Sequence, residues 1–164
     1  MTAEWRPMRP VDLPAAERIA AVVHPDFPED EAVFAERLAL YPEGCRLLVG
    51  EGGALGYAIT HPWRRGEPPA LNSLLGALPA RPDTYYIHDL ALLPGARGGG
   101  AAGRLVTLLA EQARGLPGMS LVAVNGSVPF WRRQGFSVVR EPRLAAKLRS
   151  YDAEACLMER PLAG

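Results

Sequence analysis

The stretch that most narrows what this chain can fold into runs from Tyr85 to Gly103. Tyr85 to Leu93 is almost unbroken in apolar residues, as expected of a strand buried on both faces near the middle of a sheet. Pro94 to Arg97 follows, then Gly98-Gly99-Gly100-Ala101-Ala102-Gly103, after which Leu105, Val106, Leu109 and Ala113 recur on one helical face. A strand, a glycine-rich turn and a helix in that order leave backbone N–H groups bare at a helix N-terminus, where the helix dipole is positive. Arg97 adds a full positive charge. Such a turn suits phosphate groups. The alternative is that the glycines let the turn pack tightly against a neighbouring element.

The letters satisfy G-x-G-x-x-G, the dinucleotide fingerprint, but its context is missing. Four residues separate the glycines from the strand, and the next strand ends Ala123-Val124-Asn125 without the required acid. About sixty residues remain after Gly103, too few for the further strand–helix–strand units. A P-loop is excluded, because no Gly-Lys-Ser or Gly-Lys-Thr follows the glycines.

Elsewhere, Trp5 to Arg9 reads as a first strand. Asp12 caps a helix with Pro14 in its first turn, ending near His24-Pro25, and Leu13, Ile19, Val22 and Val23 form its apolar side. Pro28 to Asp30 opens a second helix carrying Phe34, Leu38 and Tyr41, closed by Pro42-Glu43-Gly44. Arg46 to Val49 and Leu55 to Thr60 form a hairpin around Glu51-Gly52-Gly53. Pro62 to Asp83 reads as a long loop with one helical turn at Leu71 to Leu75, and loops of this length are commonly functional. Ser120 to Val124 is a buried strand, Val128 to Gln134 a short helix, Phe136 to Val139 a strand and Leu157 to Arg160 a final edge strand. The fold class is α/β, a sandwich around a mixed sheet, in one domain over residues 1–164.

Eighteen basic residues balance eighteen acidic ones, which argues against nucleic-acid binding through bulk charge. Cys45 and Cys156 belong to no Cys-x-x-Cys pair, so neither a disulfide framework nor a zinc site is expected, and the cytoplasm is the default compartment. No metal-ligand spacing joins His24, His61 and His88. No apolar run is long enough to span a membrane, and Met1 to Arg9 carries Glu4 and Arg6 rather than a signal-peptide core.

His88-Asp89-Leu90-Ala91-Leu92-Leu93-Pro94-Gly95-Ala96-Arg97-Gly98-Gly99-Gly100-Ala101-Ala102 resembles the acyl-CoA signature of the GNAT superfamily of N-acetyltransferases. Its core, Arg/Gln-x-x-Gly-x-Gly/Ala, is met by Arg97, Gly100 and Ala102. A second stretch, Asn125 through Phe130-Trp131-Arg132-Arg133-Gln134-Gly135-Phe136, is similar to the family's Asn…Phe-Tyr-x-x-x-Gly-Phe segment, and Ser150 to Arg160 is similar to the tail of some bacterial members. The similarity is strongest over residues 85 to 140. It implies a mixed, mostly antiparallel central sheet flanked by helices, with acetyl-CoA as the donor. Amides of Arg97, Gly98, Gly99, Gly100, Ala101, Ala102 and Gly103 would then hold the pyrophosphate. Leu92 and Leu93 would pair with the pantetheine arm, with Asn125, Phe130 and Trp131 further along it. A homodimer is compatible with this resemblance.

Acetyl transfer needs a neutral amine, and an amine of pKa near 10 is only about one part in a thousand neutral at pH 7. An imidazole accepts protons in that range, so His88 is the first candidate for the base. Asp89 is the second, because an acidic residue acts through water at the matching position in several relatives. His88 as a hydrogen-bonded structural residue stays open. Adjacent strand residues face opposite ways, so only one of the two is expected in the pocket. Trp131 stands where many relatives have a tyrosine placed to protonate the departing sulfur. An indole N–H is no proton source near neutral pH, which leaves water, Ser127 or Tyr151. It also raises an alternative, an acyl-CoA-binding module that senses or regulates with little turnover. The acceptor is expected to be a small-molecule or peptide amine. Its pocket should be framed by the first two helices, Tyr57, His61 and the loop bearing Trp63, Arg64, Arg65 and Glu67.

Overall fold

The computed structural model describes residues 2–163. Its core is one seven-stranded sheet in the order β1-β2-β3-β4-β5-β7-β6. Every neighbouring pair is antiparallel except β4 and β5. The strands are β1 (Glu4–Pro7), β2 (Cys45–Gly50), β3 (Gly53–Trp63), β4 (Thr84–Leu92), β5 (Gly118–Ala123), β6 (Ser137–Val138) and β7 (Cys156–Pro161). The helices are α1 (Leu13–Val23), α2 (Glu31–Leu40), α3 (Ala101–Gln112), α4 (Val128–Arg133) and α5 (Ala145–Tyr151). The apolar run that begins at Tyr85 is the central strand β4.

Two apolar layers cover the sheet. On one face, Ala16 and Ile19 of α1 and Phe34 and Leu38 of α2 pack on Cys45, Leu47, Tyr57, Ile59 and Ala91. On the other, Leu105, Val106 and Leu109 of α3, with Trp131 and Phe136, pack on Ala58, Tyr85, Ile87, Met119, Leu121 and Met158. Each fully buried Leu, Ile or Phe contributes about 1.5–3 kcal/mol. The period-two alternation of β3 sets which residues go to which face, with Tyr57 and Ile59 on the α1/α2 side and Ala58 on the α3 side.

β4 does not keep that alternation. Ile59 pairs with Asp89 but Thr60 pairs with Ile87, so His88 is an extra residue with no partner on β3. This β-bulge shifts the phase of the strand by one residue. Before it, Tyr85 and Ile87 face α3; after it, Leu90 packs on the α3 side while Ala91 faces α1 and α2. The parallel pairing of β4 with β5 also ends there, at Ile87 and Leu121. Beyond that point the two strands hydrogen-bond only to their outer neighbours, leaving a gap in the middle of the sheet.

Two expected elements need correction, and one helix is an addition. β7 is not at the edge: β6 pairs with it through Ser137 and Val138, because Leu157 and Met158 are buried and a strand so buried needs cover on both sides. Leu71 to Leu75 contains no helical turn; polar ties from α2 hold it in extended and turn conformations. Helix α5 was not foreseen, because it has no fully buried residue and so no apolar stripe, although Ala, Lys, Leu and Arg are good helix formers.

Asp12 does not cap α1 through its side chain. Its carboxylate accepts two bonds from the Arg6 guanidinium (2.8 and 2.9 Å) and one from the Arg9 N–H (2.8 Å), tying β1 to the start of α1. The Arg6 hydrogen bonds, working against burial and helped by the Arg9 N–H, lower the Asp12 pKa to about 2. A depressed carboxylate stabilises the fold above its unfolded pKa and loses that contribution as pH falls through the folded value. Asp12→Asn should therefore cost about 1–2 kcal/mol at pH 7. Its gap from the parent in urea unfolding should close between about pH 4 and pH 2; a gap that does not change with pH would contradict this.

Candidate active site

The glycine-rich turn joins β4 to α3 through a short 3-10 turn at Pro94–Ala96. Gly98 and Gly100 have φ of +86° and +82°, a left-handed backbone that strongly favours glycine. Tight packing does not explain them. A Cβ on Gly98 or Gly99 would meet nothing within 4 Å, and on Gly100 only the Arg104 guanidinium at 3.5 Å. The first internal bond of α3 runs from Arg104 N–H to Gly100 C=O at 3.0 Å, so the N–H groups of Ala101, Ala102 and Gly103 have no acceptor within the helix. The Trp5 indole N–H donates to the Ala101 carbonyl at 2.8 Å, fixing the helix start against β1. Arg97 donates to the Leu92 carbonyl at 3.2 Å.

This turn opens on a cleft of about 1010 Å³ that runs along the gap between β4 and β5. Leu92, Arg97, Gly98, Gly100, Ala101, Ala102, Gly103, Asn125, Phe130 and Trp131 all line it, as do both His88 and Asp89. Leu93 and Gly99 do not. The Leu93 N–H is bonded to the Leu55 carbonyl at 2.8 Å on the β3 side, and the Gly99 carbonyl accepts from Arg104 at 3.1 Å.

The joint presence of His88 and Asp89 corrects the expectation that only one faces the pocket. The bulge puts both on the α1/α2 side, where the α1–α2 loop meets them in crossed pairs. His24 Nε2 lies 2.9 Å from Asp89 Oδ1, and His88 Nε2 lies 2.8 Å from Glu29 Oε1. The Tyr57 hydroxyl donates to the other Asp89 oxygen at 2.5 Å. Glu29 Oε2 accepts from the Asn72 N–H at 3.0 Å, while the Asn72 side chain accepts from the Asp30 N–H at 2.8 Å. With Nε2–H given to Glu29, the lone pair of neutral His88 is on Nδ1.

The electrostatics follow from these pairs. Burial opposes the charged form of Asp89, but the adjacent His24 imidazole and the Tyr57 hydrogen bond lower its pKa below the ordinary carboxylate value. Burial likewise opposes Glu29, and the His88 hydrogen bond brings it down. His24 is raised: burial lowers it, and Asp89 more than compensates. Burial, with the Asp89 charge beside it, pushes the Tyr57 hydroxyl well up. Tyr57 thus acts as a neutral donor.

Two groups of expected pocket residues lie elsewhere. His61 is buried beside Trp63 and Tyr86, pushed down to about 3 chiefly by burial, and does not line the cleft. Arg64 stacks over Trp63 at 4.6 Å and pairs with Glu67, while Arg65 pairs with Glu159 at 2.9 Å. Neither arginine lines the cleft. The long loop contributes Pro69 and Leu71 instead, and α5 contributes Tyr151. The Tyr151 hydroxyl donates to the Pro69 carbonyl, and the Ser127 hydroxyl to the Val124 carbonyl at 2.7 Å. Trp131 is nearly buried, edge-on to Phe130 and Phe136 at 4.9 and 5.4 Å. Glu29 and His24 were missed as site residues. One reads in sequence as a helix opener and the other as a helix stop, and only the fold brings them to β4. Among the described residues, no group of three His, Cys, Asp or Glu side chains is arranged to hold a metal ion.

The family model described as Acetyltransferase (GNAT) family matches residues 6–136. Among solved structures, the chain is similar to Ard1 from Thermoplasma volcanium, with a TM-score of 0.74 and 16% identity over 100% of both chains. It is similar to the GphF GNAT-like decarboxylase in complex with isobutyryl-CoA, at 0.77 and 16% over 98% of this chain and 100% of that one. It is also similar to N-acetylglutamate synthase from Neisseria gonorrhoeae complexed with coenzyme A and N-acetyl-glutamate, at 0.67 and 20%, covering 100% of this chain and 36% of that one. At these identities the likeness is one of fold. No curated protein sequence matches the chain.

The pairing of His24 with Asp89 has a measurable signature. A raised imidazole pKa gives stability that is complete below the unfolded value near 6.5 and is lost as pH rises through the folded value. In an NMR titration of the three histidines from about pH 5 to 9, His24 should titrate above 6.5. Asp89→Asn should bring it down; an unmoved His24 would mean the pair is not formed.

Proposed function

Because the chain belongs to the GNAT acetyltransferase family, we propose that it moves an acetyl group from acetyl-CoA directly to a primary amine of a small molecule or peptide. The observation that carries this reading is that one cleft joins the unpartnered amides of Ala101 to Gly103 to the bulged pair His88 and Asp89. Relatives of the same fold bind isobutyryl-CoA, or coenzyme A together with N-acetyl-glutamate, which supports a coenzyme A thioester as donor.

The turn fits the diphosphate of such a donor. Left-handed glycines keep Cβ atoms out of the way, the α3 N-terminus offers its N–H groups, and Arg97 supplies charge. The edge of β4 released from β5 beyond Ile87 offers backbone groups to an amide-bearing arm. When bound, the thioester supplies the acyl carbon and a thiol leaving group.

His88 accepts the proton of the incoming ammonium at Nδ1, directly or through one water, because Glu29 occupies Nε2. Glu29 orients the ring and stabilises the imidazolium once it forms. Asp89 accepts the Tyr57 hydroxyl and lies against His24, and acts as a positioning and electrostatic group. The new N–C bond forms as the C–S bond breaks. The hydroxyls of Ser127 and Tyr151 are already committed to carbonyls, the second with a pKa pushed up to about 12 by burial. Water therefore relays the second proton of the attacking nitrogen to the thiolate as the amide forms, and a thiol of pKa near 8.5 is a tolerable leaving group.

The same committed hydroxyls, with Trp131 in place of a tyrosine, favour a second reading: an acyl-CoA-binding module with little turnover. Thiol release by the parent protein with any amine removes it.

Calorimetry with acetyl-CoA, and with NAD and ATP as controls, tests the donor. Saturable binding is expected for acetyl-CoA alone. Ala102→Glu is the discriminating variant, because a glutamate in the first turn of α3 favours the helix while opposing a phosphate. Melting temperature should hold or rise while acetyl-CoA affinity falls about 100-fold or more. Gly100→Glu would also abolish binding, but it adds left-handed strain at φ +82°. Unchanged affinity in folded Ala102→Glu would move the phosphate site elsewhere. For the base, His88→Gln should lower kcat about 100- to 1,000-fold and leave acetyl-CoA affinity within about threefold. A variant as fast as the parent would assign the proton to another acceptor.

A further inference from the structure

We infer that the acceptor is a primary amine carried on an apolar body, with no carboxylate beside the amino group. This rests on the transferase reading above. The acceptor end of the cleft is built by the α1–α2 loop, the long loop, β4 and α5. Its charged lining from these elements is Asp26, Glu29 and Asp89, accompanied by His24 and His88. Glu29 and Asp89 stay ionised there despite burial, each held down by its histidine.

The arginines of the cleft sit at its other part. Arg97 comes from the glycine-rich turn and Arg133 from the end of α4. Among the described residues, no lysine or arginine of the α1–α2 loop, the long loop or α5 lines the cleft. Buried Arg37 is outside the lining, and its guanidinium is bound to Glu36 at 3.0 Å and to the Ser73 carbonyl at 3.1 Å.

A free amino acid would therefore bring its carboxylate against three carboxylates, Asp26, Glu29 and Asp89, offset only by the His24 imidazole that Asp89 already holds, in a cleft where charges interact more strongly than in water. The ammonium of a simple amine meets the same anions favourably. The remaining walls are apolar or aromatic: Val23, Phe27, Pro69, Leu71 and the ring of Tyr86. They suit a hydrocarbon or aromatic substituent better than a second ammonium or a chain of polar groups.

Matched acceptors test this through initial rates of thiol release from acetyl-CoA. Phenethylamine and phenylalanine amide should each exceed phenylalanine in kcat/KM by about 100-fold or more, and phenethylamine should exceed both ethylamine and spermidine by about tenfold or more. Asp26 is exposed, so Asp26→Arg is expected to fold, and it should narrow the gap between phenethylamine and phenylalanine by about tenfold. Phenylalanine equal to its amide would overturn the exclusion of carboxylates, and spermidine or ethylamine as the best acceptor would overturn the apolar body. If acetyl-CoA binds but no amine releases thiol, the transferase reading fails on its own. Calorimetry of phenethylamine and phenylalanine on the CoA-loaded protein then decides the inference: amine bound and amino acid not bound supports it, and equal or absent binding overturns it.

Discussion

One extra residue in β4 sets up the whole candidate site. Without the bulge at His88, strict alternation would send His88 and Asp89 to opposite faces, one of them into the α3 layer as a buried polar group. With it, both reach the loop that carries His24 and Glu29, where His24 lies beside Asp89 and Glu29 bonds His88. The bulge also coincides with the end of the β4–β5 ladder at Ile87 and Leu121. A bulged strand bends and twists away from its neighbour. The residue that aims the acid–base pair is thus the one at which the sheet parts to make room for a ligand.

The loops that complete the site are held by polar ties rather than by a core of their own. Glu36 accepts the N–H groups of Leu75 and Gly76 at 2.6 and 2.9 Å. Arg37, with no exposed side-chain surface, bonds Glu36 and the Ser73 carbonyl. Asn72 and the Glu29–Asp30 segment exchange bonds. A long segment without helix or strand is stable here because its backbone groups are satisfied by side chains of α2 and of the loop before it. The same arrangement couples the long loop to the proposed base, since Asn72 holds the carboxylate that holds His88.

The legible parts of the sequence were those where local chemistry fixes local structure. The central strand, the left-handed glycines and the α3 stripe each follow from periodicity or backbone sterics, and the turn's affinity for anions follows from a helix end. The bulge was not legible, because Ile87-His88-Asp89-Leu90 reads as unbroken strand and the slip appears only against β3. His24 and Glu29 were invisible for a related reason. Their roles depend on a contact between residues far apart in the chain, 65 positions for His24 and Asp89 and 59 for His88 and Glu29. β7 was misplaced at the edge because edge and interior strands of this length differ in their neighbours, not in their letters.

The two parts of the cleft therefore carry different kinds of information. At the α3 end, the proposed donor site uses main-chain N–H groups and asks of the side chains only that they be small, so it is written in a short contiguous motif. At the other end, recognition uses Asp26, Glu29, His24 and the apolar residues of two loops, none of which forms a contiguous pattern. A family likeness carried by the first part speaks for the donor and is silent on the acceptor. On the proposed function, acceptor choice lies in loop side chains whose charges are set by one another, so changing Asp26 or Leu71 would redirect the enzyme without touching the turn proposed to hold its donor.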